Sequence, residues 1–366
     1  MRRHDWFGVI TGVWLCAGCA VPDSLLPALP KREVEAEQRK EQIAHIHDYY
    51  TQLQRVENVG FHIRVANRQF CVDTDPLIGL HAATVQSLPK KYRSYSHEAL
   101  EISWTKPTVI AVVDGSPASV AGLKLGDQIL TLNNDVVSPY RTDGWMTDWL
   151  RKNGEKPVRI SFLRDGQDDE RIVYPVLACA IPISYVSDPV PNAFTDFKKI
   201  VVYSGMLRLT QTDSELAVIV GHELAHVTME HYQKRAQNFY LGELSGAMID
   251  GGFMLGGIYT GTTFTRRLGA AGLFAFSVSF EREADYVGAY YAARAGYDIS
   301  GTEEIWRKLG SEVPDAIRLA TTHPISPARF VQMQKVIAEI EDKKRRGLPL
   351  VPDLKKATAQ PATPTE

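Results

Sequence analysis

The chain mixes apolar positions recurring at helical spacing with short stretches that alternate or are continuously β-branched. Thr212 and Glu215 have the Thr-x-x-Glu spacing of a capping box. Leu216, Val218, Ile219, Leu224 and Val227 follow, which predicts a buried helix through this region. A second helix is predicted around Glu281–Asp285, with Phe274, Phe276, Val278 and Phe280 before it and Val287, Tyr290 and Tyr291 after it. Lys199-Ile200-Val201-Val202-Tyr203 is short and β-branched, so it predicts a strand. Pro107–Val113 alternates as a strand does, Gly115-Ser116-Pro117-Ala118 makes a turn, and Val158–Phe162 runs into Asp165-Gly166, a hairpin signal. Lys31 to about Glu57 is charged and helix-prone, a tether or packed helix.

Two apolar stretches bear on membranes. Gly242–Phe280 is apolar and glycine-rich, but Asp250 interrupts it, and neither half supplies the ~20 uninterrupted apolar residues of a spanning helix. Helices and mobile loops flanking a cleft are expected there. At the start, Arg2 and Arg3 precede an apolar run from Trp6 to Leu15, then small residues and Cys19, so residues 1–18 read as a signal peptide. Leu15-Cys16-Ala17-Gly18-Cys19 resembles a bacterial lipobox, with Cys19 lipidated as the first mature residue and Ala20 favouring the outer membrane. Cys16 stands where leucine is usual, so a soluble periplasmic protein is the alternative.

Composition sharpens this. The 366 residues are ample for two domains, and 41 basic against 43 acidic side chains, with no basic stripe, exclude nucleic acid as a partner. With Cys16 and Cys19 assigned to the export segment, Cys71 and Cys179 remain, an even pair in an oxidising compartment. A disulfide at the base of the domain they bracket is one reading, and two separate buried thiols is the other. From Asp342 the chain runs Lys-Lys-Arg-Arg and then Pro, Thr and Ala, so 342–366 is expected to be disordered.

The chemistry centres on His222-Glu223-Leu224-Ala225-His226, an HExxH motif. On a helix the two imidazoles project from one face and can share a metal, with Glu223 beside them to move a proton. A catalytic zinc needs three protein ligands and one open position. Met229 and Tyr232 occupy the places where a metzincin has glycine and a third histidine, and His231 is one residue out of register. Glu281 and Asp285, spaced i, i+4, offer instead a third ligand and an acidic partner behind it, while Arg282 and Glu283 read as a solvated face.

Over roughly residues 185–340 these motifs resemble the HtpX-like metallopeptidases (metallopeptidase family 48), the group that also holds the CAAX prenyl proteases and the BepA-type quality-control proteases. Asn192-Ala193-Phe194 leading to Ile200–Leu207, and Thr322-His323-Pro324 followed by Arg329, belong to the same resemblance. It implies one zinc per chain held by His222, His226 and Glu281, Glu223 as catalytic base, and Asp285 supporting the site or donating a proton. It also implies that the strand Ile200, Val201, Val202 borders the site, where a free edge could be joined by an extended substrate, the other reading being an ordinary strand of the sheet. His323 is either a turn residue or a regulatory ligand that fills the open position of the zinc.

Ala121–Leu130 resembles the core of a bacterial PDZ domain, a match over roughly 100–176, although no glycine-containing carboxylate-binding loop is found before Val109. Capture of C-terminal peptides by strand addition is the functional reading, and a ligandless lid is the other. The expected fold is α+β. A mainly helical gluzincin peptidase domain over 180–341, with a small β-sheet at the active site, carries an inserted β-rich PDZ-like domain. Before these lie the tether and charged helix over 19–60 and a lead-in segment over 61–99 that could belong to the peptidase domain. The expected function is a zinc endopeptidase of the bacterial envelope, anchored through Cys19 and acting on misfolded or unassembled proteins. The alternatives are a latent, chaperone-like assembly factor using the PDZ domain, and a scaffold with structural zinc, where an HExxH glutamate would have no work.

Overall fold

The computed structural model describes residue 24 and residues 27–274, 277–312 and 327–355. The expected signal peptide, Cys19, His323 and residues 356–366 lie outside the described residues. Helix α1 spans Lys31–Ala66, and the described residues from Ile43 onward belong to one compact unit.

Strand β1 (Thr74–Leu77) pairs antiparallel with β8 (Val176–Cys179), which closes the base of a sheet-bearing segment. Cys71 and Cys179 are bonded there, with Cα atoms 5.5 Å apart across 108 residues of chain. Between them lie β2 (Leu80–Ala83), α2 (Arg93–Leu100), β3 (Thr108–Val112), α3 (Pro117–Val120), β4 (Gln128–Leu132), β5 (Asp135–Val136), α4 (Thr142–Asn153), β6 (Val158–Arg164) and β7 (Gln167–Val173). They make an antiparallel sheet of order β2-β3-β4-β6-β7 with β5 beside β4. Inward-pointing Ile129, Leu132, Ile160, Phe162 and Val173 pack against Met146 and Leu150 of α4. Asp165 and Gly166 both have positive φ, as the expected β6–β7 hairpin turn requires. The sheet also takes in β2 from the 61–99 segment, because Leu80, Ala82 and Ala83 are buried against β3. Four residues are too few to show a period.

The second part opens with β9 (Ile183–Val186), β10 (Ala193–Thr195) and β11 (Ile200–Tyr203) in the order β10-β11-β9. Here one expectation is corrected: Ile200, Val201 and Val202 do not form an edge. Strand β11 is flanked by β10 on one side and β9 on the other, and all three residues are buried. A β-branched run buried on both faces is what a central strand looks like.

Helices α5 (Ser204–Leu209), α6 (Asp213–Thr228), α7 (His231–Leu255), α8 (Thr263–Phe274), α9 (Ser277–Arg294), α10 (Glu304–Glu312) and α11 (Pro327–Arg345) complete the described chain. Helix α6 starts at a capping box: Glu215 N–H donates to Thr212 Oγ1 at 3.2 Å and Thr212 N–H to Glu215 Oε2 at 3.3 Å. From Leu216 to His226 it is buried throughout. The expectation of disorder from 342 fails for 342–355. The basic run sits in the last turn of α11, where cations meet exposed carbonyls. Beyond it Arg294 Nη1 donates to Leu350 O and Lys343 Nζ to Val351 O. No described helix is long and apolar enough to cross a membrane.

Candidate metal centre

Helices α6 and α9 meet at two glycines. A Cβ on Gly221 would lie 2.4 Å from Gly288 O, and one on Gly288 would lie 2.5 Å from His222 N. Only hydrogen fits at this crossing, so the backbones touch and the i, i+4 pairs of the two helices face each other.

His222 Nε2, His226 Nε2 and the Glu281 carboxylate converge, with all ligand atoms within 4.8 Å of one another and all three residues buried. The nitrogens are 3.0 Å apart, Glu281 Oε2 is 3.4 Å from His222 Nε2, and Oε1 is 3.5 Å from His226 Nε2. A tetrahedral ion with ligands at about 2.0–2.1 Å holds them roughly 3.3–3.4 Å apart. The donor set therefore fits a small divalent metal.

Groups behind the ligands aim them. With Nε2 kept for the metal, His222 Nδ1–H donates to Asp285 Oδ1 at 2.9 Å. Arg329 of α11, only 2% exposed, grips Asp285 through Nε and Nη2, both at 2.7 Å, and its Nη1 is 3.4 Å from Glu281 Oε2. Burial would raise the Asp285 carboxyl, but Arg329 and His222 outweigh it and hold the group ionised. Burial likewise opposes charge on His222, yet its hydrogen bonds to Asp285 and Glu281 lift it to about 9. The pocket is a seat for positive charge, whether proton or metal.

His226 has its own support, which the sequence reading missed. His231 Nδ1 lies 2.8 Å from His226 Nδ1, and His231 Nε2 lies 2.8 Å from Glu283 Oε2. Phe280 stacks on the His231 ring at 4.9 Å. Glu283 is thus an acceptor for a buried histidine and not part of a solvated face. Glu223 is buried at the floor of a cleft of about 210 Å³ that is also lined by Phe194, Thr195 and Tyr232.

The pattern of peptidase family M48 matches residues 182–337, and that of the PDZ domain matches 76–173. The chain carries an M48 peptidase domain and a PDZ domain. Over 191 residues it is 32% identical to mitochondrial metalloendopeptidase OMA1 of Arabidopsis thaliana, an alignment spanning 51% of this chain and 35% of that one. Over 150 residues it is 29% identical to the beta-barrel assembly-enhancing protease of Yersinia pestis, spanning 38% and 31%. The chain thus spans about a third of the length of these relatives. Among solved structures, the HtrA3 PDZ domain bound to a phage-derived ligand overlaps 29% of this chain and 88% of its own, at 19% identity and a TM-score of 0.23. The metal centre lies wholly within the M48 domain. The PDZ domain extends back to β2, one of the two edge strands of its sheet, whose Ala82 N–H is taken by Asp143 of α4 at 2.9 Å.

Proposed function

We propose that this chain is a zinc metalloendopeptidase of the bacterial envelope that cuts extended segments of misfolded or unassembled proteins. The observation that carries the reading is the convergence of His222, His226 and Glu281, with Asp285 and Arg329 buried behind them. Zinc at these ligands supplies Lewis acidity toward the scissile carbonyl and acidifies water to a pKa of about 7. Glu223 takes the proton of the attacking water and returns it to the leaving amine. Asp285, whose carboxylate accepts from His222 Nδ1 and from Arg329, orients His222. An ion that merely stabilised the fold would have no use for a buried Glu223 at the floor of an open cleft.

Substrate entry is assigned to β10, whose outer edge pairs with no strand among the described residues and whose Phe194 and Thr195 line the cleft beside Glu223. An extended chain adding there gains main-chain hydrogen bonds without a demand for sequence. A cavity of about 150 Å³ lies between β2 and α4 at Ile78, Leu80, Met146 and Leu150, but Glu57, Phe61 and Arg64 of α1 line it as well, so a peptide end captured there would share the groove with α1. The Cys71–Cys179 bond agrees with an exported protein, as do the leader and the lipobox-like Cys19. Stripping metal with a chelator and adding zinc back tests the reading. Cleavage of unfolded casein is expected to disappear and return, and cleavage indifferent to chelation would count against it.

A further inference from the structure

The hairpin of α7 and α8 carries apolar side chains that neither the metal centre nor the PDZ domain uses. Met248, Ile249, Phe253, Met254 and Leu255 are all exposed, Leu255 by 93%, and Ile258 and Tyr259 of the connecting loop are exposed as well, Tyr259 by 86%. At ~100° per residue, the five helical positions point in directions spread around most of the helix. A protein partner covers one face of a helix, whereas a fluid apolar medium wets it from every side.

Charge is arranged to match. No Asp, Glu, Lys, Arg or His occurs from Gly251 to Thr265. Asp250, the one acid at the tip, is turned inward and 7% exposed. It accepts from Thr260 Oγ1, Phe264 N–H, Thr265 N–H and Thr265 Oγ1 at 2.6 to 3.3 Å. Arg266 and Arg267 are exposed in the first turns of α8, directly behind the tip. The wedge is closed tightly, since a Cβ on Gly246 would lie 2.3 Å from Phe264 O, and Phe253 stacks on Phe264 at 5.6 Å.

We propose that the tip of the α7–α8 hairpin inserts into the surface of an anionic lipid bilayer, with Met254, Leu255, Ile258 and Tyr259 among the acyl chains and Arg266 and Arg267 at the phosphates. The stretch from Met248 to Leu255 rises about 10 Å, the depth of an interfacial element and far short of a span. This contact is separate from any lipid on Cys19 and from the peptidase reading.

The test is flotation of the purified chain from residue 20, which has neither leader nor Cys19, with vesicles of phosphatidylethanolamine and phosphatidylglycerol. The chain is expected to float with the vesicles and to partition at least tenfold more weakly as Leu255→Asp/Tyr259→Asp. Arg266→Glu/Arg267→Glu is expected to weaken it as well, and pure phosphatidylcholine to bind less. In a Tyr259→Trp chain, brominated lipid is expected to quench emission beyond the loss seen in the parent. All substituted side chains are exposed, and an unchanged thermal unfolding curve checks the fold. No flotation of the parent, or equal flotation of the Asp variant, overturns the proposal. So does tip-dependent self-association in the ultracentrifuge without vesicle binding, which would assign the surface to a second copy.

Discussion

His231 Nδ1 stands 2.8 Å from His226 Nδ1, with the Glu283 carboxylate 2.8 Å from the other His231 nitrogen. The line from Glu283 through His231 to His226 fixes which His226 nitrogen faces the metal, as Asp285 does for His222. Removing such a support typically costs 10- to 100-fold in metal affinity. His231→Ala is expected to weaken zinc binding by about that factor in a chelator competition, and Glu283→Gln by less. Unchanged affinity in both would mean that the contact only packs the helices.

The crossing of α6 and α9 has a sharp steric prediction. Gly288→Ala drives a Cβ to 2.5 Å from His222 N, a backbone atom that cannot swing aside. It is expected to cost about 1–3 kcal/mol and to weaken zinc binding by moving Asp285. Gly251→Ala in α7, with nothing within 4 Å of the new methyl, is expected to stabilise the helix by roughly 0.5–1 kcal/mol. Urea denaturation of the two variants should therefore move in opposite directions.

The HExxH pair and the Glu281–Asp285 pair were legible because helical periodicity is local: i, i+4 spacing and a capping box lie within a few residues. What the chain order hides is who packs against whom. Glu283 reads as a solvated charge until α7 brings His231 to it. Arg329 is marked by the resemblance that includes Thr322-His323-Pro324, but nothing in its segment says that it will grip Asp285. The run Ile200–Val202 looks the same whether one neighbour or two flanks it, and β2 is too short to announce its place in the PDZ sheet.

In the PDZ domain, His81 sits between two carboxylates, Glu57 of α1 and Asp143 of α4, each 3.1 Å from one ring nitrogen. Burial opposes its charge, but the carboxylates outweigh it and raise the group well above 6.5. Because the folded value exceeds the unfolded one, the stabilisation is complete below about 6.5 and is lost as pH rises through the folded value. The Tm gap between wild type and His81→Gln is expected to be widest near pH 6 and to narrow in alkaline buffer. A gap that widens with pH would contradict the pairing.

His323 lies outside the described residues, and its role as a latch on the metal stands as a proposal. His323→Ala is then expected to raise peptidase activity severalfold with zinc content unchanged. Activity at or below the wild-type level would remove the latch from the account.

The central claim, that Glu223 moves the proton in a metal-dependent peptide hydrolysis, is tested most directly by measuring casein cleavage and zinc content together in wild type and Glu223→Gln. The substitution preserves shape and leaves His222, His226 and Glu281 in place. The expected result is one zinc per chain in both proteins and a loss of activity of about 10²–10⁴-fold in the variant. Equal proteolysis by the two proteins at equal zinc content would contradict it.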